Sequence, residues 1–562
     1  MQKIKSIGLT GYYLDTKGVS VNNTVFGSKV AVNDLLKAFF KYSSCEEICF
    51  SYIDMYYQHI ATKRMYDRLK KTGQAKVNLK IINRMDMLQK GLKYDTDIIH
   101  DLYSDFLHTA LIREYYTAAK PPLTYTIHCA SAPDYAYGYY LINLFTGLKK
   151  YDSMICTSKA VKSAIENELG YKLDCINRLY GANISYNGRL DIIPLGVDTD
   201  DFHAIDKAEC REKLGFAQNE FIILYFGRIS AFDKGDILPL INVFHRLLVK
   251  NGNKALRLII AGTDYEDKAF YPAIEKYIAK LQIEDRVQIM KDFEYGKRNV
   301  LYGAADVFTS PADSLQETFG LTPIEAMACG TPQIVSDWDG YKDTVRHGVT
   351  GFKVPSYWMK CDGDISLFPY SVNNEFGHGA VYSHLLLSQS VALDMGCYEN
   401  YFQQLMDDPG LCRRMSENSC KIAKREYSLE NVIRNYEELW RELLQIRKSE
   451  EAGHVNYMEV FHNRYCQAFE NYPTRFIDDS ERIKITGDGL ALLRGDGYTP
   501  FHYAEEKLLY EIKVAKHILA TLEEANERMI SEILRECCGS VNEDAARRAV
   551  MWLLKHGFIK LA

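Results

Sequence analysis

The sequence predicts an α/β protein made of two doubly wound parallel-sheet halves followed by a small, mostly helical module. Length is the first reason: 562 residues exceed the ~250 to 300 at which a single hydrophobic core stops growing. The second is that short apolar runs alternate with helical patterns through residues 1–200, as they do when each strand is followed by a crossover helix. The third is a renewed series of the same kind from Phe221 onward. Domains are therefore expected at 1–200, at 201–447 with its final helices packing back, and at 448–562.

In the first half the expected strands are Ile4 to Leu9, Glu47 to Tyr52, Ile98 to Asp101, Leu123 to His128, Ser153 to Thr157 and Asp191 to Pro194. A loop at Thr199 to Asp206 forms the junction, where Pro and Gly punctuate the chain. The second half places strands at Phe221 to Phe226, Leu256 to Ala261, Arg286 to Met290, Val307 to Ser310 and Pro332 to Ser336. Residues 356–390 read as an irregular insertion rich in Ser, Asn and Gly, and helical patterns resume from Val391 to Gln445. In the polar stretch that follows, Arg482 to Thr486 and Leu490 to Arg494 suggest a hairpin around Gly487-Asp-Gly489. Helices at Glu505 to Ala525, Met529 to Cys537 and Asn542 to His556, a Gly557 stop and a strand Phe558 to Leu561 resemble a winged helix. In its last helix Arg547, Arg548 and Lys555 face Glu543 and Asp544, so residues 448–562 are read as a protein-docking module rather than a reader of DNA.

Composition narrows the function. Hydrophobic residues at 47% and charged residues at 25% exclude disorder and fibrous repeats. A net charge of −6 argues against nucleic acid as a partner. Locally, ten Lys or Arg between His59 and Lys93 oppose only Asp67 and Asp86; segment 59–93 is either a solvated face or a patch for anionic lipid or an anionic acceptor. Fourteen cysteines without CxxC spacing read as reduced thiols, not a disulfide frame or zinc site. The start, MQKIKSIGLTGYYLDTKG, lacks the apolar core of a signal peptide, and no apolar run reaches the ~18 residues of a membrane span. The greasiest stretch, Tyr135 to Phe145, is short and interrupted. A cytoplasmic address is expected, peripheral at the inner face of the membrane if the basic segment meets lipid.

Two constellations carry chemistry. Gly227-Arg228 and Lys234-Gly235 follow the first strand of the second half, and ligands gather at the carboxyl ends of strands in open α/β sheets. Arg offers a fork and Lys a point charge, which together suit a diphosphate. Glu317-Thr-Phe-Gly-Leu-Thr-Pro-Ile-Glu325 comes next, with Thr322 as N-cap, Pro323 as the first helical residue and Gly330 past the end. The helix N-terminus beside Gly320 and Leu321 is then an anion site. For Glu325 two readings stay open: a capping box with Thr322, or an acceptor for both hydroxyls of a ribose.

Gly227-Arg228 with Lys234-Gly235, the Glu317 and Glu325 pair, Pro323-Ile-Glu-Ala-Met-Ala-Cys-Gly-Thr-Pro332 and Ile193-Pro-Leu-Gly-Val-Asp198 together resemble glycosyltransferase family 4. The resemblance runs most clearly from about residue 150 to 355. It implies a GT-B fold, with two Rossmann-like domains facing a cleft, and a retaining, metal-independent glycosyltransferase with a nucleotide sugar, UDP- or GDP-linked, as co-substrate and no cofactor. Carried over by position, Arg228 and Lys234 are the cations on the donor diphosphate, Glu325 the ribose-binding acid and Glu317 the acid beside the transferred sugar. Gly227, Gly320, Leu321 and Thr322 belong to the donor-binding set, and His128 is the histidine facing the donor sugar. Where the family carries a Gly-Gly turn, this chain has an insertion, Tyr12 to Phe26, and then Gly27-Ser28; Gly27 is the matching contact. A glycan, a lipid-linked glycan or a protein would be the acceptor. No metal is expected, and the run Asp198-Thr-Asp200 falls in the interdomain connection. A sugar phosphorylase, a nucleotide-sugar epimerase and a non-catalytic donor-binding scaffold are the alternatives.

Overall fold

A computed structural model describes every residue except 1–2, 11–19, 22–23, 26, 53–57, 104–105, 132–140, 253, 265–269, 292, 367–377, 451–454, 496–511 and 538–542. Most of the insertion Tyr12 to Phe26, Tyr135 to Tyr140 of the aromatic stretch, the first residues of the helix expected from Glu505, and Cys538 lie outside the described residues. The chain forms two compact units, one of residues 1–81 with 96–458 and one of residues 82–95 with 459–562.

The larger unit carries both expected sheets. The first has seven strands in the order Asn78–Asn83, Glu47–Tyr52, Ser6–Thr10, Ile98–Asp101, Leu123–Ile127, Ser153–Cys156, Arg189–Ile192, with parallel pairing from Glu47–Tyr52 across to Arg189–Ile192. The second is a parallel six-stranded sheet in the order Val287–Lys291, Leu256–Gly262, Phe221–Phe226, Val307–Ser310, Gln333–Ser336, Gly351–Val354. In each sheet the order reverses beside its first strand, and the loops leaving the two strands that flank this point splay apart into a crevice. In the second sheet those loops are 227–235 and 311–320. Two strands escaped the sequence reading. Asn78–Asn83 is an edge strand with alternating partial exposure, and Gly351–Val354 is only four residues long.

The last helix of this unit, Leu429–Ser449, returns from the second sheet to the first. Its buried stripe runs through Val432, Ile433, Tyr436, Leu439, Trp440 and Leu443 and joins the core formed with Phe39, Phe40, Ile98 and Phe50. Trp440 is fully buried, stacks on Phe39 at 5.5 Å and 14° and donates its indole N–H to Thr124 Oγ1 at 3.0 Å. Glu437 accepts from the hydroxyls of Ser43 and Ser44 at 2.8 and 2.6 Å. The Asp198-Thr-Asp200 run is tied to the first half by lysines: Lys37 reaches Asp198 at 2.9 Å, and Lys41 reaches Asp200 at 3.1 Å.

The described residues of the insertion 356–390 include regular elements. Ser356–Trp358 pairs antiparallel with Val391–Leu393, and His378–Ser388 is a helix. In the smaller unit the hairpin expectation is corrected. Arg482–Ile485 is the central strand of an antiparallel sheet between Glu527–Met529 and Ile559–Leu561, but Gly487–Arg494 is a helix. Thr486 caps it through Gly489 N–H, and Gly495 ends it in the left-handed region at φ 83°, so local capping overrides the hairpin signal of the glycines. The helices Ile512–Ala525, Ile530–Cys537 and Glu543–Lys555 complete the helix-and-wing arrangement around Ile483, Leu519, Trp552 and Leu553. Arg547 of the last helix is held by Asp479 at 2.6 Å and Glu543 at 2.5 Å.

Because Trp440 fills the seam where the returning helix meets the first sheet, Trp440→Ala should remove about 3 to 5 kcal/mol of unfolding free energy and leave the Thr124 hydroxyl without its donor. Chemical denaturation followed by circular dichroism measures this, and a loss below about 1 kcal/mol would show that the seam is not a structural core.

Candidate functional site

A cavity of about 390 Å³ lies between the two sheets of the larger unit. From the first half it is walled by Gly27, Ser28, Tyr103 and His128, and from the second by Gly227, Arg228, Lys234, Glu317, Gly320, Leu321, Thr322 and Glu325. Every site residue expected from the sequence thus lines one space.

Glycines bring the strand ends together. Gly227 N–H donates to Ala261 O at 3.1 Å, and Gly262 lies at φ +150°, where an added Cβ would sit 1.8 Å from Gly227 O. Gly320 lies at φ +92°, and a Cβ there would meet the Tyr341 ring at 2.3 Å. That ring is fixed by a 2.9 Å hydrogen bond between its hydroxyl and Ser310 Oγ. The positive φ and the close ring both require glycine at this position.

Gly320, not Thr322, is the N-cap, and the helix runs Leu321–Ala328 with no side chain capping its first N–H groups. It therefore starts two residues earlier than Pro323 as expected. The capping-box reading of Glu325 is corrected at the same time. Glu325 Oε1 accepts from Arg298 Nη1, and Oε2 accepts from the Tyr302 hydroxyl at 2.9 Å. Burial pushes its carboxyl up while Arg298 pulls it down. The guanidinium of Arg298 also stacks over Phe202, 4.8 Å from the ring centre.

The two expected cations are held by carboxylates. Arg228 Nη2 meets Asp233 Oδ2 at 2.7 Å, and Lys234 Nζ meets Glu317 Oε2 at 2.8 Å. Glu317 and Lys234 thus form a pair at the cavity wall. On the opposite wall His128 is buried, its Nε2 bonded to Leu102 O at 2.9 Å and its ring stacked on Tyr103 at 5.9 Å and 24°. Burial pushes its imidazole down to about 4. Its Nε2 donates to a carbonyl, so Nδ1 is left as an acceptor.

Sequence reasoning missed Arg298, Asp233, Gln316 and His384. Arg298 opens a seven-residue helix and belongs to no motif that the sequence reading singled out. Gln316 precedes Glu317, and its Oε1 accepts from the Ser131 hydroxyl at 2.8 Å. His384 comes from the insertion helix, 253 positions past Ser131 in the sequence, so no local signal could place it here. Across the cavity Thr318 Oγ1 donates to His128 O at 3.3 Å, and Ser158 Oγ donates to Thr318 O at 2.9 Å.

Residues 206–362 match the family model of glycosyl transferases group 1. A D-inositol 3-phosphate glycosyltransferase of Nocardia farcinica is 34% identical over 177 residues, which is 31% of this chain and 38% of that protein. The protein of the same name from Rhodococcus jostii is 31% identical over 185 residues, 33% of this chain and 39% of that one. The chain thus matches well under half the length of these curated relatives. The solved structure of Anabaena HepE in complex with UDP and glucose superposes with a TM-score of 0.50 at 16% identity, covering 78% of this chain and 100% of that chain. At that identity the likeness concerns the fold, two facing Rossmann-like lobes of GT-B type. Through residues 206–362 the chain is similar to the glycosyl transferases group 1.

Proposed function

We propose that this protein is a retaining, metal-independent glycosyltransferase that takes a sugar from a UDP- or GDP-linked donor bound in the cavity. A hydroxyl of a glycan, a lipid-linked glycan or a protein is the acceptor. The observation that supports the reading is that Arg228, Lys234 and the uncapped N-terminus of helix Leu321–Ala328 meet in one cavity. Three attractions for anionic oxygen within one cavity match a diphosphate better than a single phosphate or a neutral ligand. Glu325, accepting already from Arg298 and Tyr302, keeps further lone pairs for ribose hydroxyls. Glu317 and His128 then flank the sugar.

In this reading the bond between the anomeric carbon and the β-phosphate oxygen breaks, and its electron pair goes to the leaving diphosphate. Arg228, Lys234 and the helix terminus stabilise that charge, the preorganised electrostatic term that dominates most catalysis. The acceptor oxygen bonds to the anomeric carbon from the same face, and its proton passes to the departing phosphate. Glu317 stabilises positive charge on the ring. Neutral His128 accepts a hydrogen bond from the sugar and takes no part as an acid.

Calorimetric titration tests the donor site. UDP or GDP should bind in excess EDTA, and Lys234→Met should weaken that binding by roughly 10- to 150-fold, the range for a hydrogen bond to a charged group. The melting temperature should barely change, because Lys234 is partly exposed. Binding that vanishes with EDTA and returns with magnesium would overturn metal independence, and full-strength binding by Lys234→Met would remove Lys234 from the donor site.

A second expectation concerns pH. An unfolded histidine takes up its proton near pH 6.5, whereas native His128 holds out to about 4. Above pH 6.5 the residue has no effect on stability; as pH falls from 6.5 to 4 the unfolded state binds the extra proton and stability declines. His128→Gln should therefore lose less melting temperature than the wild type between pH 7 and pH 5. Parallel curves for the two proteins would mean that native His128 takes up its proton as readily as the unfolded chain does, and would overturn the claim that burial keeps it neutral at pH 5.

A further inference from the structure

We propose that His384, carried into the cavity by the insertion 356–390, reads a hydroxyl of the transferred sugar and so sets which sugar the enzyme accepts. The inference rests on the donor reading above. The insertion leaves and rejoins the domain through the two-stranded ribbon of Ser356–Trp358 and Val391–Leu393, and its helix His378–Ser388 is fastened to the donor-side loop. Ser388 Oγ donates to Ala231 O at 3.2 Å, and Gln389 Nε2 donates to Asp236 Oδ2 at 3.4 Å. His384 is buried and lines the cavity.

The chemistry of its ring is settled by its one hydrogen-bond partner among the described residues, Ser131 O, 3.2 Å from Nε2. A backbone carbonyl only accepts, so Nε2 carries the hydrogen. Burial holds the imidazole below its ordinary value, which leaves the ring neutral and makes Nδ1 an acceptor. A neutral acceptor repels phosphate oxygens, which carry no proton to donate. It attracts a hydroxyl. Position agrees with this, because Ser131 donates to Gln316, the residue before Glu317. The ring therefore belongs to the sugar end of the cavity, with Asp233 close enough to act on it electrostatically.

His384→Gln is the informative substitution, since the glutamine amide reaches as far as Nε2 and can still donate to Ser131 but has no counterpart of Nδ1. The probes are UDP, UDP-glucose, UDP-galactose and UDP-xylose, with GDP, GDP-glucose and GDP-mannose as the second series. The variant should bind the nucleoside diphosphate as tightly as the wild type and bind the preferred sugar nucleotide roughly five- to tenfold more weakly, the worth of one neutral hydrogen bond. The wild type's preference among sugars that differ at one ring position should collapse in the variant. A misfolded variant would lose both ligands together, which a lowered melting temperature would reveal; His384→Asn, which keeps an amide near Nδ1, should then recover part of the preference. Equal weakening of diphosphate and sugar nucleotide in a folded variant, or no change in either, would overturn the inference. A wild-type protein that binds neither UDP nor GDP would overturn the donor reading and this inference with it.

Discussion

The cavity is organised by the need to pair buried charge. Arg228, Lys234 and Arg298 line it, and each is held by a carboxylate of its own lobe, Asp233, Glu317 and Glu325 respectively. A guanidinium as buried as that of Arg228 or Arg298 loses several kcal/mol of hydration, and only a close carboxylate offsets the loss. The wall is thus neutral overall, and an entering ligand has to compete for its cations. A diphosphate can, because it brings two anionic groups to two neighbouring cations and meets the N-terminus of helix Leu321–Ala328, which has no side-chain cap. In the donor reading proposed above, the same exchange would free Glu317 from Lys234, and a monoanion or a neutral sugar would drive it poorly.

The motifs after the second-half strands were legible because function and local structure coincide there. Phe221–Phe226 is an unbroken run of aliphatic and aromatic residues ended by Gly227, and the buried strand Val307–Ser310 is ended by Pro311, so strand and loop announce each other. The helix start was misplaced by two residues because a Thr-Pro pair is the stronger local signal, whereas Gly320 is chosen by a tertiary contact, the Tyr341 ring. The same limit explains Glu325. Its partners Arg298 and Tyr302 lie more than twenty positions upstream, and a spacing of three from Thr322 was the nearer explanation. His384 was illegible in principle, since its meaning comes from where a Ser-, Asn- and Gly-rich insertion folds back, and composition carries no such information.

The smaller unit illustrates the other failure of local signals. Gly487-Asp-Gly489 has the composition of a hairpin turn, yet the strand Arg482–Ile485 finds its partners at Glu527–Met529 and Ile559–Leu561, far along the chain. Once that sheet forms, Gly489 must pack against the Phe558 carbonyl, where a Cβ would come within 2.1 Å. The glycine is there for close approach, and the turn it advertises is not made. Its last three helices were read correctly over their described residues, because their apolar stripes repeat over more than two turns.

Two kinds of contact join the lobes of the larger unit, and their magnitudes differ. On one side the returning helix buries Trp440, Tyr436 and Leu443 against the first sheet, where each large side chain contributes about 1.5 to 3 kcal/mol. The chain crosses beside it at Val197, whose N–H and C=O bond to Tyr427 O and Leu429 N at 2.8 and 3.2 Å. On the other side, around the cavity, the joins are single hydrogen bonds: Thr318 to His128 O, Ser158 to Thr318 O, Ser131 to Gln316 and His384 to Ser131 O. Each contributes about 0.5 to 1.5 kcal/mol, and water can replace it. Separation of the lobes therefore starts at the rim of the cavity and turns about the apolar seam. Ser131 joins that rim through bonds to Gln316 and His384, so in the reading proposed above a ligand hydroxyl bonded to His384 would also support the contact between the lobes.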